Sequence, residues 1–232
     1  IPQSQACRAR VHGPARHGPQ AQGRGARRAR GHGMEDATAR GKAAAATHDR
    51  FNLFAIPPLV LLTVSSLATG SNILHTVLSW SVFVYILLDI AYNVLVPHCQ
   101  PTLLRSVTIV VHHILTAWLV LHPITHPENL HFTAYATIVE VNTVFQVARK
   151  VLRWRWLMYG FFATWVIMRL FWYPYLVYLF HATIRGQGHP NYGYVHTQVV
   201  GSQALLCVLN FFWTGEVLMG MMKPKVPGKK AE

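Results

Sequence analysis

The sequence predicts an all-α fold: a polytopic membrane protein in which a bundle of about six transmembrane helices surrounds a polar-lined cavity. Composition is one reason, since 52% of the 232 residues are hydrophobic and only 12% are charged, far from the soluble average. The apolar residues also form long blocks, most of roughly 15 to 25 residues, which suits helices that cross a hydrocarbon core. Basic residues lie at the two ends and between the blocks. The net charge of +13 therefore indicates membrane topology rather than a nucleic-acid ligand.

The N-terminal segment, residues 1–50, is rich in Arg, Gly, Ala and His and has no apolar period, so it is expected to be disordered. The arginines that precede its first acidic residue are Arg8, Arg10, Arg16, Arg24, Arg27, Arg28 and Arg30. An organelle transit peptide and a nucleic-acid-binding tail are alternatives. Because the chain begins at Ile1 and its first methionine is Met34, we expect the natural protein to start near Met34, or the chain to be a fragment.

Apolar stretches predict the helices in order. They cover residues 53–67, 73–96, 106–121, 130–148, 156–180 and 196–222. Pro57 and Pro58 lie near the start of the first helix, where proline is tolerated, and Gly70 follows its end. The second helix is expected to end before Pro97 and the third before Pro123, because proline inside a helix removes a backbone hydrogen bond.

Lys and Arg set the predicted orientation. In a six-helix arrangement the N-terminal segment, Arg105, the segment 149–155 and the C-terminal tail share one side, and only Arg185 lies on the other. The positive-inside rule then places both termini in the cytosol. The tail Lys229-Lys230-Ala231-Glu232 resembles a dilysine signal for retrieval to the endoplasmic reticulum, or is a chance basic tail. The predicted organisation is residues 1–50, a transmembrane domain at 51–226, and a cytosolic tail at 227–232.

Several predicted helices carry polar or ionisable residues at or near mid-depth, where such groups are costly and indicate a site by default. They are Tyr85, Asp89, Tyr92 and Asn93 in the second helix, His112 and His113 in the third, Glu140, Asn142, Thr143, Gln146 and Arg149 in the fourth, Trp165, Arg169 and Tyr173 in the fifth, and Asn210 and Glu216 in the sixth. The alternative is that the histidines only hydrogen-bond a neighbouring helix.

Pairing is the simplest way to avoid bare charges among these residues. We expect Arg169 to pair with Glu140 or Asp89, which leaves a histidine near neutrality as a proton acceptor. Adjacent helical residues point about 100° apart, so His112 and His113 are not expected to aim at one atom. The cysteines are Cys7, Cys99 and Cys207, without a CxxC pair or metal-ligand spacing, so neither a metal site nor a disulfide framework is predicted.

Five motifs follow one another along the chain: Asp89-Ile-Ala-Tyr92, Val111-His112-His113-Ile-Leu, Glu140-Val-Asn-Thr143-Val-Phe145-Gln-Val-Ala-Arg149, Met168-Arg169-Leu-Phe-Trp-Tyr173-Pro174 and Leu209-Asn210-Phe-Phe-Trp213. Taken together over about residues 50–226, they resemble the TLC domain family. The family is named for a translocon-associated protein, the longevity-assurance ceramide synthases and a ceroid-lipofuscinosis protein. The resemblance implies a helical bundle around a cavity in the endoplasmic-reticulum membrane that handles lipids or long acyl chains.

Ceramide synthases in this family use paired histidines and two aspartates on the next helix to transfer an acyl group from acyl-CoA to a long-chain base. His112 and His113 match that histidine pair, Glu140 stands at the first aspartate, and Thr143 replaces the second. The stretch from Glu140 to Thr143 is similar to family members that are not established ceramide synthases. Those members are tied to phospholipid composition, lipid homeostasis or cargo export. The resemblance therefore implies lipid homeostasis more than sphingolipid synthesis.

The enzyme hypothesis is acyl transfer from a thioester to a lipid amine or hydroxyl, with a neutral His112 or His113 as general base. The other histidine or Arg169 would stabilise the oxyanion, and Asp89 or Glu140 would orient the base. Acyl-CoA would then be a substrate, and no cofactor is predicted. The phosphates of acyl-CoA would contact basic residues on the cytosolic side.

The binding hypothesis is a lipid-sensing or lipid-organising protein in which Tyr92, Thr143, Tyr173 and Asn210 contact the lipid. Neutral replacements of the histidines discriminate between the two, because Asn and Gln do not accept a proton at neutral pH. A cargo receptor is a third option, although loops 123–129 and 184–194 carry no recognition motif. The predicted partners are membrane lipids and, for the enzyme, acyl-CoA and a long-chain base.

Overall fold

The computed structural model describes residues 20–222, and within that range the chain is helical with no strand. Clustering of contacts divides the chain into two compact units at Arg40 and Gly41. In the first unit, the described residues are helical from Gln20 onward. Every side chain discussed below belongs to the second unit. The all-α class predicted from the sequence is confirmed for the described residues.

The helices follow one another through short connections. Their bounds are α1 Gln20–Thr69, α2 Asn72–Leu95, α3 Leu103–Thr125, α4 His131–Thr137, α5 Glu140–Leu152, α6 Arg155–Thr164, α7 Tyr173–Gly186, α8 Tyr192–His196 and α9 Ser202–Met222. The π-helical segments Trp165–Trp172 and Thr197–Gly201 join α6 to α7 and α8 to α9. Single 3₁₀ turns at Pro97–Cys99 and Pro127–Asn129 precede α3 and α4.

Four helices in the described part of the chain are long and apolar enough to cross a membrane: Thr38–Thr69, Asn72–Leu95, Leu103–Thr125 and Tyr192–Met222. Large apolar side chains on their surfaces are exposed, among them Leu61, Leu88 and Val208, as expected of helices that face lipid. The chain is therefore a multi-pass membrane protein. The count of about six crossings stays a prediction.

The first helix begins much earlier than the predicted start at residue 53. It begins at Gln20 and continues through Pro57 and Pro58, so the structure is helical from residue 20 to residue 50, where the sequence shows no apolar period. Residues 43–46 are all alanine, the residue with the highest helix propensity. His48 and Asn52 also bond side chains of α2. Residues 1–19 and the predicted dilysine tail lie outside the described residues.

The predicted helix at residues 130–148 is interrupted in the structure. Two turn residues, Ile138 and Val139, separate α4 from α5. The backbone N–H groups of Val141 and Asn142 bond to carbonyls three residues earlier, at 3.2 and 2.9 Å, which is the tighter 3₁₀ pattern. The break places Glu140 in the first turn of α5. The helical region also extends beyond its predicted end at residue 148, because α5 continues to Leu152.

The central helix of the second unit is α3. It packs against α2 on one side and against α9 on another, and it contributes to both buried apolar clusters. Val120 belongs to the cluster that includes Leu59 and Leu78, and Leu119 to the cluster that includes Phe180 and Leu206. The packing therefore places α3, which carries His112 and His113, between α2 and α9.

Candidate functional site

A buried carboxylate links three helices at the candidate site. The side chain of Asp89, in α2, is 2% exposed. Its Oδ1 lies 2.6 Å from Nε2 of His48 in α1, and its Oδ2 lies 2.7 Å from Nε2 of His113 in α3. Asn93 donates from Nδ2 to the same carboxylate at 3.0 Å and to the Asp89 carbonyl at 2.9 Å. We refer to His48, Asp89, Asn93 and His113 as the Asp89 cluster.

His48 is the member of this cluster that sequence reasoning missed. It lies in the stretch predicted to be disordered, where the sequence predicts no contact with a residue in the membrane. A sequence signal did exist, because His48 and Asn52 are four residues apart just before an apolar block, on one face of any helix that continues into it. Asn52 Oδ1 accepts a hydrogen bond of 3.0 Å from the Tyr85 hydroxyl.

The hydrogen bonds of Asp89 decide which histidine nitrogen is available for chemistry. An ionised carboxylate only accepts hydrogen bonds, so Nε2 of both His48 and His113 must carry a proton. In a neutral histidine the lone pair then lies on Nδ1. The proton-accepting atom of His113 is therefore Nδ1, and Asp89 holds the ring in a fixed tautomer and orientation, as second partners of histidine do in other sites.

His112 points away from the carboxylate, as the angle between adjacent helical residues requires. Its ring centroid lies 5.2 Å from that of Trp213 in α9 and 5.3 Å from that of His113. Its Nδ1 is buried and has no hydrogen-bond partner among the described residues. His112 therefore offers an unused polar atom beside the histidine that Asp89 orients.

Arg169 is held by neutral groups, and the predicted ion pair with Glu140 or Asp89 is wrong. Its Nε donates to Asn142 Oδ1 at 2.9 Å and its Nη1 to Asn210 Oδ1 at 2.7 Å. Nη2 lies 3.4 Å from the hydroxyl oxygen of Thr143. These residues form what we name the Arg169 cluster: Asn142, Thr143, Arg169 and Asn210. Among the side chains that the structure describes, those of residues 38–222, no carboxylate forms a salt bridge with Arg169.

Helix geometry explains why Glu140 is not the partner of Arg169. Glu140 and Asn142 are two residues apart on α5, so their side chains point about 200° apart. Asn142 faces Arg169, and Glu140 instead lines the inner cavity described below. Aromatic rings complete the surroundings of the guanidinium, whose Cζ lies 4.9 Å from the Trp165 ring and 6.0 Å from the Trp213 ring.

Trp213 lies between His112 and Arg169, and the sequence named it only as the end of a motif, with no role in the site. Its ring contacts His112 on one side and lies near Arg169 on the other. The motif Asn210-Phe-Phe-Trp213 places Asn210 and Trp213 three residues apart, on one face of α9. Both residues therefore reach Arg169 from the same helix.

A small inner cavity of about 30 Å³ lies between the helices. Its polar lining comes from Tyr85, His112, His113, Thr116, Thr137, Glu140 and Tyr173. The remaining lining is aliphatic, from Leu59, Val82, Ile86, Leu119, Val120, Ala136 and Leu206. This volume holds about one or two water molecules. A larger ligand would therefore require the surrounding side chains or helices to move.

The other predicted contact residues have mainly structural partners. The Tyr92 hydroxyl donates to the Ala44 carbonyl at 2.9 Å, and its ring stacks on His48 at 5.0 Å. The Tyr173 hydroxyl lies 3.4 Å from the Ala136 carbonyl. Among the residues that the structure describes, no group of three or more His, Cys, Asp or Glu is arranged to hold a metal ion. The site therefore consists of the Asp89 cluster and the inner cavity, with the Arg169 cluster beyond Trp213.

Comparison with known proteins decides the family. Residues 53–219 match the family model described as the TLC domain. The chain belongs to the TLC domain family. No curated protein and no solved structure matches the chain. A TLC domain indicates a membrane protein tied to lipid metabolism, and the resemblance inferred from the ordered motifs is confirmed.

Replacing Arg169 is expected to destabilise the fold. Arg169→Met leaves the buried side-chain oxygens of Asn142 and Asn210 without their donor, at a cost of about 1–3 kcal/mol for each unsatisfied group. Unfolding in mixed detergent and sodium dodecyl sulfate measures the free energy. Arg185→Ala, at an exposed position, is the control and should stay within about 0.5 kcal/mol of wild type. Equal stability of the two variants would show that the Arg169 cluster contributes nothing.

The contact between His48 and Asp89 is expected to appear as coupling in a double-mutant cycle. His48→Ala, Asp89→Ala and the double variant should give a coupling free energy of about 0.5–3 kcal/mol, since the side chains share a buried hydrogen bond. The same cycle with His98→Ala, a substitution at an exposed histidine, should give a value near zero. If the two cycles agree, His48 is not a partner of Asp89.

Proposed function

We propose that this TLC domain protein lies in the endoplasmic-reticulum membrane, crosses it about six times with both termini in the cytosol, and binds or organises lipid chains in lipid homeostasis. Two helical stretches beyond the four apolar spans support the crossing number. One is formed by α4 and α5, and the other runs without interruption from α6 through Trp165–Trp172 to α7. The one-sided distribution of Lys and Arg supports the orientation.

The observation that supports binding of a lipid chain is a second, larger space in the protein. This lateral groove has a volume of about 450 Å³ and opens to the outside of the helices. It is lined by Leu67, Tyr135, Ile138, Ile167, Met168, Phe171, Trp172 and Tyr175. Four of these residues belong to the π-helical segment, a conformation that often marks functional sites. A lining of this composition favours a hydrocarbon chain and offers little to a polar ligand.

Only one layer of protein separates the lateral groove from the inner cavity. Trp172 lines the groove and the next residue, Tyr173, lines the cavity; Tyr135 and Ala136 are related in the same way. A shift of this wall would join the two spaces. A lipid chain in the groove and a polar group beside His113 would then belong to one ligand, which is how we propose that the site recognises a lipid.

Acyl transfer is a second candidate function, and the contact between His113 and Asp89 favours it. A histidine with one nitrogen fixed on a buried carboxylate is the usual form of an oriented general base. In this reaction His113 Nδ1 takes the proton of a lipid amine or hydroxyl while the acceptor attacks the thioester carbonyl of acyl-CoA. The new C–N or C–O bond forms, the C–S bond breaks, and the thiolate leaves and regains the proton.

Filling the lateral groove is expected to remove a bound lipid. Ile167→Trp places a large ring in the groove, so lipid that co-purifies with the full chain should fall several-fold, as measured by quantitative lipid mass spectrometry. Val166→Trp adds the same ring at the neighbouring exposed position, which does not line the groove, and should retain wild-type lipid. Equal lipid content in both variants would remove the groove from the proposal.

Catalysis is tested with His113→Gln, which offers an amide N–H to Asp89 but has no basic nitrogen. Reconstituted wild-type protein receives acyl-CoA with amine and hydroxyl lipid acceptors, and products are identified by mass spectrometry. Acyl transfer predicts a new acylated lipid from wild type and at least a 100-fold lower rate for the variant, within the range that general-base catalysis contributes. If wild type forms no product while both proteins retain the same lipid, the binding function stands and the enzyme hypothesis fails.

A further inference from the structure

The turn between α5 and α6 carries an alternation of basic and aromatic residues that lines neither the inner cavity nor the lateral groove. Its sequence is Arg149-Lys150-Val-Leu-Arg153-Trp154-Arg155-Trp156. Arg153 ends α5 in the left-handed conformation with φ of 56°, and Trp154 is extended before α6 begins. The chain therefore reverses within two residues, and the basic and aromatic side chains share one end of the α5–α6 hairpin.

Two tryptophans of this turn are on the surface. Trp154 is 54% exposed and Trp156 is 56% exposed, and their ring centroids lie 6.0 Å apart. Tryptophan side chains in membrane proteins concentrate at the level of the lipid headgroups, where the ring contacts both apolar and polar surroundings. An exposed pair at the end of a helical hairpin is therefore placed where headgroups are found.

The positive charges of the turn are only partly balanced. Lys150 Nζ forms an ion pair of 2.8 Å with Asp49, and the Arg149 guanidinium lies over the Phe161 ring at 3.9 Å. Arg153 and Arg155 are exposed and have no acidic partner among the described residues. A guanidinium presents parallel N–H donors that match the oxygens of a phosphate. Two such groups, separated by one residue, remain available for an anion.

We propose that the α5–α6 turn binds the phosphate of an anionic membrane lipid, with Arg153 and Arg155 as phosphate ligands and with Trp154 and Trp156 in contact with the headgroup region. The positive-inside rule explains basic residues on this side, and an aromatic belt explains tryptophans at headgroup level. Neither rule requires two arginines without an acidic partner among the described residues to flank an exposed indole. A soluble phosphate would leave those rings in water. A lipid uses both kinds of side chain, which is why we choose it as the ligand.

The test uses the full chain in detergent and native mass spectrometry. Dioleoyl phosphatidic acid is titrated against dioleoyl phosphatidylcholine, which has the same chains and no net charge. We expect wild type to prefer phosphatidic acid at least fivefold. Arg153→Ala with Arg155→Ala should abolish that preference, and Arg153→Lys with Arg155→Lys should reduce it two- to threefold, because lysine keeps the charge and the topology but loses the planar donor pair.

Arg185→Ala is the control, since it removes one exposed arginine at the end of α7. It should keep the wild-type preference. An equal effect of the Arg185 and Arg153/Arg155 substitutions, or equal binding of the two lipids to wild type, would overturn the proposal. Competition with inorganic phosphate separates the two sources of the ligand. Displacement of phosphatidic acid at millimolar phosphate would make this a site for soluble phosphate and would also overturn it.

Discussion

The need to neutralise one buried carboxylate organises the helices around this site. Asp89 is 2% exposed, and an ionised group at such a position is tolerated only with partners. It obtains them from His48 in α1, Asn93 in its own helix and His113 in α3. These bonds tie the three helices together at one depth. They also fix the tautomer of His113, so the same constraint that stabilises the fold prepares a proton acceptor.

Arg169 is stabilised by neutral groups rather than by a charged partner. Its charge is surrounded by amide and hydroxyl oxygens from α5 and α9 and by indole rings, with no ion pair among the described residues. The buried carboxylate of Asp89 and the buried guanidinium of Arg169 thus obtain their hydrogen-bond partners separately. Trp213 stands between them, in contact with His112 and close to Arg169. The histidine pair therefore lies between a carboxylate on one side and a cation on the other.

The π-helical segment has side chains on both sides of the wall between the interior and the lateral groove. Over Trp165–Trp172 it directs Arg169 inward, while Ile167 and Phe171 line the lateral groove. One stretch of chain thus contributes to the polar interior and to an apolar surface recess. The inner cavity is too small for a lipid headgroup, at about 30 Å³, and the recess is much larger. Movement of the wall between them is the conformational change that the proposed function requires.

The sequence by itself determined the all-α membrane class and the TLC family, and it singled out Asp89, His112, His113 and Arg169 as ionisable residues within apolar helices. The length of an apolar block, and a polar residue inside it, can both be read from a short stretch of sequence. The partners of these residues were decided only by tertiary structure. His48 was missed because it precedes the apolar block, and the pairing of Arg169 was wrong because the break before α5 sets which side of that helix faces the bundle. The rotation of each helix about its axis and the contacts of its side chains depend on how the helices pack. A short stretch of sequence does not specify that packing.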